Sequence, residues 1–477
     1  MSKVSDDVFF LTIAELGEKL RAREFSSVEL TRAWLDRIER FGPRFGALAL
    51  LLKEGAIRQA RDADRDTKIE RFRSPLQGIP CAVKDLLSIA RHPTTWGARP
   101  YAGQVFDHDA AVIERLRSAR AIPIAKLTMI ELAGGGGYRS AAASLTGPAR
   151  NPWDRTRWAG GSSSGSGAAV AAGLVPFAIG SETSGSILTP SAFCGVTGLR
   201  PTYGLVSRYG AMALSWSMDK VGPMCRSAED CGLVLQAIAG GDSRDPASAG
   251  KSFYYTPQFA REFKDLRVGF APVDFDLWAA PAARPVFRAA LEGIRELGLQ
   301  LVETRLPDFP YGPVAQTIIS AEGSAAFEEL IASGRVDQLA DKSQIAGLRA
   351  GLEIPAKDYL RAQRIRSQIQ AAFREMFIDI DVLVSPARFD VAPKISEPLG
   401  QSSAGEPQTD DRGMRDLIPA GNLAGLPALS LPCGFVDGLP VALQLVARPY
   451  LENTLLAIGK AFQDRTDFHR RRPDPLQ

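Results

Sequence analysis

The stretch GGSSSGSGAAVAAGLVPFAIGSETSGSILTP, residues 160–190, decides how the rest of the chain is read. Its polar clusters, 160–167 and 180–186, enclose AAVAAGLVPFAI, which reads as a small-residue helix followed by an apolar strand. A Gly/Ser linker would be polar along its whole length. This one has an apolar interior, so two glycine-rich turns sit at the ends of buried elements and can be brought together in space. Such turns let the backbone approach a ligand closely, and their free N–H groups can hold negative charge.

Outward from this segment the chain alternates helix and strand signals. TIAEL and SSVEL each set a hydroxyl three residues before a glutamate, Thr12 with Glu15 and Ser26 with Glu29, so two helices begin there, the second running to about Arg40. ALALLLKEGAIRQARDADRD reads as a strand leading into a helix, and DHDAAVIERLRSARAIPIAKL as a helix capped by Asp109 followed by a strand. NPWDRTRWAG reads as a charged loop. Beyond the serine-rich segment, DLRVGFAPV, LQLVETRL, DIDVLVSP, ALSLPCGF and PVALQLVARP read as strands and RPVFRAALEGIRELG as a helix, while 308–365 is helical and uneven. The expected class is α/β with a mixed sheet and no internal repeat; only the polar loop LGQSSAGEPQTDDRG resembles a linker.

Bulk properties narrow the function. With 477 residues, 45% hydrophobic, the chain can bury a large core. Its 57 basic and 54 acidic residues carry no long like-charged block, so neither nucleic acid nor a membrane surface is signalled. The five cysteines form no CxxC pair, which argues against a disulfide framework or a zinc site and for a reducing compartment. MSKVSDDVFF lacks the blocks of a signal peptide, so the expected location is cytoplasmic.

Three chemistries suit the serines. Phosphate binding would call for a GKS, GKT or GxGxxG motif, and none follows the glycines. GSSSG could be the nucleophile elbow of an α/β-hydrolase with Ser163 at its tip, but the only histidines are His92, His108 and His469, two upstream and one in the terminal tail. The third is a serine activated by a lysine, which must be neutral and therefore withdrawn from water. Lys84 lies inside the apolar run LQGIPCAVKDLLSIA and is the candidate, although pairing with Asp85 would explain it equally well. Residue types alone do not say which serine does what.

The motifs GIPCAVKD, TTWGA, NPWD, GGSSSGSGAAVAAGLVPFAIGSETSGSI, FCGVTGLRPTYGLVSRYGAMALSWSMDKVGP, EDCGLVL and GNLAGLPALSLPCGF resemble, in this order, the amidase signature family. The resemblance spans about 8–470 and is weakest between 240 and 410. It implies a single α/β/α domain around a large mixed twisted β-sheet, covering 1–477. Its parts would be N-terminal helices at about 8–65, a signature core at 75–240, a substrate-side elaboration at 300–410, and C-terminal strands and helix at 415–470. It implies a catalytic set of Lys84, Ser162 and Ser186, with Ser186 as nucleophile, Ser162 as relay preceded by a cis peptide bond, and the N–H groups of Thr183, Ser184, Gly185 and Ser186 as oxyanion hole. The implied reaction is hydrolysis of a carboxylic amide through an acyl-serine, with no metal or organic cofactor. A small-molecule amide is the expected partner, with no nucleic acid or membrane, and homodimers are common among relatives.

Several positions depart from the family pattern. Ser164 and Ser184 replace glycines, Glu182 replaces aspartate, and Leu188 stands where arginine is common; if that arginine pairs with the acidic residue in relatives, Glu182 needs another partner, with Arg200 the candidate. RNPWD and TYGLVSRYG also resemble the glutaminase component of tRNA-dependent amidotransferases, which is the alternative function. Against that branch, its GSxR motif reads GSIL here, its glutamine-binding arginine and aspartate have no secure match, and Arg415 stands near the expected aspartate position. The substrate lining is expected from 300–410 and from loops around Trp96, Tyr138 and SPARFDVAP.

Overall fold

The computed structural model describes residues 4–259, 261–399 and 409–474. Most of the polar loop 399–413 lies outside that range, as does the end of the expected substrate-side elaboration. The strands, in chain order, are β1 (Leu48–Leu51), β2 (Pro80–Lys84), β3 (Ile122–Leu127), β4 (Arg150–Asn151), β5 (Asp154–Trp158), β6 (Phe177–Glu182), β7 (Thr197–Arg200), β8 (Lys220–Cys225), β9 (Arg267–Phe270), β10 (Gln300–Glu303), β11 (Val382–Pro386), β12 (Ala428–Val436) and β13 (Leu439–Ala447). Eleven of them form one mixed sheet in the order β1-β3-β2-β6-β8-β7-β12-β13-β11-β9-β10, with the strands of the first half of the chain on one side, those of the second half on the other, and the two joined where β7 pairs antiparallel with β12.

The expected mixed α/β fold is therefore present. β2, β3, β8, β11 and β13 are buried along their whole length, as strands covered on both faces must be. Both glutamate capping boxes form, at Thr12 with Glu15 and at Ser26 with Glu29. The second helix, however, runs to Phe45, through Pro43, and stops only where Gly46 takes φ +56°. Asp109 caps nothing: the helix starts at Ala111 behind Ala110, while the Asp109 carboxylate accepts the Ala90 N–H and pairs with Arg117. NPWDRTRWAG is not a loop either. Its Asp154–Trp158 stretch is β5, which with β4 makes a separate two-stranded ribbon. Charge misled there because a ribbon open to solvent on one side needs few apolar residues.

β2 is parallel to β3 on one side and to β6 on the other. Their carboxyl ends lie at one edge of the sheet, the position where open α/β sheets receive ligands. Lys84, Leu127 and Glu182 are the terminal residues of these strands. The expected small-residue helix forms as Ser164–Ala171, just before β6, and Leu188–Cys194 follows the second turn.

Candidate active site

Lys84 ends β2 with no exposed surface, and its Nζ donates to Ser162 Oγ at 2.7 Å and to Ser181 Oγ at 2.9 Å. It does not pair with Asp85. That carboxylate faces Lys126 instead, at 2.7 Å, and also accepts from the backbone N–H and hydroxyl of Thr95. Desolvation pushes the Lys84 pKa down to about 7, against the opposing pull of Asp219 and Glu182. A lysine so placed is a base near neutral pH, which an exposed lysine is not.

The two glycine-rich turns converge. Gly160, at φ +88°, lies so close to the second turn's helix that a Cβ would meet Pro190 Cα at 2.6 Å. The Ser163 N–H donates to the Ser186 carbonyl at 3.3 Å. The peptide bond between Gly161 and Ser162 is cis. Ser162 is fully buried against Lys84, whereas Ser186 keeps 8% of its surface exposed, and its hydroxyl makes no hydrogen bond among the described residues. Lys84 and Ser162 are thus in direct contact, with Ser186 set beside the same turn through Ser163.

In the segment Thr183–Ser186 the backbone N–H groups make no hydrogen bonds among the described residues. A short run of unpaired donors at a helix start is an anion-binding arrangement. Ser184 does not spoil it, because its φ is not positive; the left-handed conformation falls on Gly185, at φ +86°. Glycine's freedom is needed at that position alone.

Glu182 is sealed below this turn. Its Oε2 accepts the N–H groups of Ile187 and Leu188 at 2.8 and 3.0 Å, and its Oε1 accepts from Arg200 and Asn422, both at 2.8 Å. Burial alone would raise its pKa; the Arg200 guanidinium and the Asn422 amide outweigh that and hold it below the ordinary carboxylate value. Arg200 is therefore the charged partner of Glu182.

Three contributors escaped the sequence reading: Ser181, Asn422 and Asp219. Asp219 Oδ1 accepts the Thr183 hydroxyl at 2.5 Å, and its Oδ2 accepts the N–H groups of Leu214 and Ser215 at 2.8 and 2.9 Å. It ties the second turn to the loop before β8. The only sequence signal for it was the acidic residue in SWSMDKVGP, beside Lys220, whose pKa desolvation pushes well below the usual value. The expected elaboration reaches this loop: Glu322 accepts from Ser215 Oγ at 2.5 Å, and Arg366 donates to the Ser217 carbonyl at 2.7 Å.

A cleft of about 230 Å³ opens here, lined by Ser181, Thr183, Asp219 and Lys220 and by Leu86, Met212, Leu214, Val221 and Trp216. A larger cavity, about 660 Å³, is walled by Arg58, Arg61, Arg65, Arg117 and Arg120 and contains none of the candidate residues. We place the chemistry in the smaller one because Ser181 and Thr183 form its wall. Trp96, in one of the loops expected to contribute to the lining, packs at a tilt on Tyr101, 4.5 Å between ring centres, and stacks on Phe106. Among the described residues no group of three or more His, Cys, Asp or Glu could hold a metal ion, and no helix is long and apolar enough to cross a membrane.

The chain is similar to proteins of known family along nearly all its length. The A subunit of glutamyl-tRNA(Gln) amidotransferase from Chloroflexus aggregans is 39% identical over 491 residues, covering 98% of this chain and 99% of that one. The peptide amidase of Stenotrophomonas maltophilia superposes with a TM-score of 0.81 at 32% identity, over 97% of this chain and 98% of its own. The corresponding amidotransferase protein of Thermotoga maritima gives 0.78 at 26% identity, over 97% and 96%. The family model Amidase matches residues 29–456, and with it the chain belongs to the amidase family.

Proposed function

We propose that this amide hydrolase works through an acyl-enzyme on Ser186, with Ser162 and Lys84 as its proton relay and the N–H groups of Thr183, Ser184, Gly185 and Ser186 as its oxyanion hole. One observation carries the reading: a sealed lysine with a pKa near 7, 2.7 Å from the hydroxyl of Ser162. Neutral Lys84 accepts the Ser162 proton as Ser162 accepts that of Ser186, whose oxygen attacks the carbonyl carbon. The unpaired N–H groups meet the negative charge that develops on the carbonyl oxygen. The proton then returns through Ser162 to the departing nitrogen, which leaves as ammonia or an amine. Water, deprotonated by the same relay, releases the acid.

The preferred substrate is a simple carboxylic amide, cleaved by the chain acting alone. A second reading, that of a glutaminase component passing ammonia to a partner, is favoured by the relatives that are named for glutamyl-tRNA(Gln) amidotransferase. Against it, Arg415 stands near the position where that branch carries its glutamine-binding aspartate, and its guanidinium packs 4.4 Å from the centre of the Trp278 ring.

Hydroxylamine trapping tests the acyl-enzyme. The purified chain, given a simple amide and hydroxylamine, should form the hydroxamate, and Ser186→Ala should lower that rate by about 10⁶. Hydroxamate formation by Ser186→Ala at the wild-type rate would remove the nucleophile. Ammonia release from glutamine but not from simple amides, and only with copurified partner proteins, would select the second reading.

A further inference from the structure

Past the end of β3 the chain runs beside the first serine turn. The Gly165 N–H donates to the Thr128 carbonyl at 2.9 Å, and the Ile130 N–H donates to the Ser162 carbonyl at 3.1 Å. The Ile130 side chain closes on the same place, since a Cβ on Gly161 would lie 2.9 Å from Ile130 Cγ1. Ile130 thus holds Ser162 through its backbone and the residue before it through its side chain. Whatever fixes Ile130 decides where Ser162 can sit.

The next residue, Glu131, is fully buried. Its N–H donates to the Ala143 carbonyl at 2.8 Å, and its carboxylate accepts the N–H groups of Ala340 and Asp341, both at 3.0 Å. Asp341, also buried, reaches back in the same way. Its Oδ2 accepts the N–H groups of Arg139 and Ser140 at 2.8 and 2.9 Å, and its Oδ1 accepts that of Ser343 at 2.8 Å, capping the helix Lys342–Leu352. The substrate-side elaboration is therefore clasped to the catalytic half by two carboxylates that exchange backbone hydrogen bonds. Among the described residues neither carboxylate forms an ion pair. A buried charge with no counter-ion is costly and persists only where hydrogen bonds hold it.

The clasp fixes a bend that the chain would not adopt alone. Leu132 and Ala133 stand at φ +50° and +54°, a region that residues with side chains seldom occupy unless their surroundings impose it. Ala133 forms part of the wall of the cleft beside Ser181 and Thr183. Farther along, backbone meets backbone: a Cβ on Gly136 would lie 2.1 Å from the Gln344 carbonyl oxygen, and one on Gly347 1.8 Å from the Gly136 carbonyl oxygen. These glycine contacts already join the helix Lys342–Leu352 to the loop. Glu131 adds a hold one residue from the group that anchors Ser162.

We propose that Glu131 is a positioning residue for the proton relay: by fixing Ile130 it keeps the Ser162 hydroxyl within reach of Lys84 and Ser186. The proposal rests on the acyl-enzyme reading and adds to it a residue that touches neither the substrate nor the reacting atoms. Asp341 secures the far side of the clasp, at Arg139 and Ser140, and not Ile130.

Steady-state kinetics on a simple amide test it, with fluorophosphonate labelling of Ser186 as a second readout. Glu131→Gln keeps the shape but turns an NH2 donor toward one of the two N–H groups that the carboxylate accepts. It should lower kcat about tenfold to a hundredfold, as a small misplacement of a reacting group does, and change KM by less than about threefold. Labelling of Ser186, which needs the relay but no bound amide, should slow by a similar factor. Asp341→Asn should lower the denaturation midpoint, as Glu131→Gln does, yet lower kcat by less than about threefold. Should Glu131→Gln fail to fold, Glu131→Asp, still charged and one methylene shorter, carries the same test, with a fall in kcat of at least about threefold. An unchanged kcat in a folded Glu131 variant, a loss confined to KM, or equal losses of kcat in the Glu131 and Asp341 variants would overturn the proposal and leave the acyl-enzyme standing. Absence of any labelling at Ser186 in the wild type would overturn both.

Discussion

Lys84 owes its chemistry to what is withheld from it. The nearest carboxylate in sequence, Asp85, is taken by Lys126, and no water-exposed surface remains, so the amine meets only two hydroxyls. With a pKa of about 7, lowered by desolvation, the amine is protonated and idle in acid and free to accept a proton above neutrality. Activity should therefore rise with pH through about 7 and level off above it, measured as ammonia release at saturating amide. Lys84→Ala should lose about 10² to 10⁴ in rate, the usual contribution of a general base, and with it that rising limb. The lysine was legible because it is out of character in an apolar run, and the serines were legible from the glycine frame around them. Asp219, Ser181 and Asn422 were not, because each acts through a contact between segments distant in sequence, and no local pattern marks such a contact.

Between the turn that carries Ser186 and the strands beneath it, the connection is made by Glu182 and Arg200, at the ends of β6 and β7, both without exposed surface. The glutamate caps the start of the helix Leu188–Cys194 through the Ile187 and Leu188 N–H groups, so the turn's shape depends on a charge that Arg200 pairs directly. Removing one partner of a buried pair leaves an uncompensated charge and costs about 3–5 kcal/mol. Arg200→Met should lower unfolding stability by that amount, read from denaturant titration, and slow ammonia release as the turn loosens. Most strands could be read as apolar runs, and both glutamate capping boxes as well. β7 and β8 could not: they carry Gly198, Gly222 and Pro223 inside four and six residues, a turn-like composition that only full burial between neighbours makes compatible with a strand.

Across the whole molecule, the strands of the two halves of the chain join edge to edge where β7 pairs with β12, and one apolar core takes residues from Val4 to Phe462, from both halves. We propose a single domain, and calorimetry should then show one cooperative unfolding transition in which loss of activity and loss of structure coincide. The strand order itself was not readable, since it follows from which faces meet and not from any one segment's pattern. The parallel pairing of β2 with β6 is what brings the two serine turns and Lys84, 78 residues apart from Ser162, to one edge. A chain purified without partners should release ammonia from simple amides at least as readily as from glutamine. The most direct test of the relay is mass mapping after fluorophosphonate treatment. The phosphonyl group should reside on Ser186 alone in the wild type and be absent from Ser186→Ala. A label on Ser163 or any other serine, or labelling of Lys84→Ala at the wild-type rate, would contradict the account.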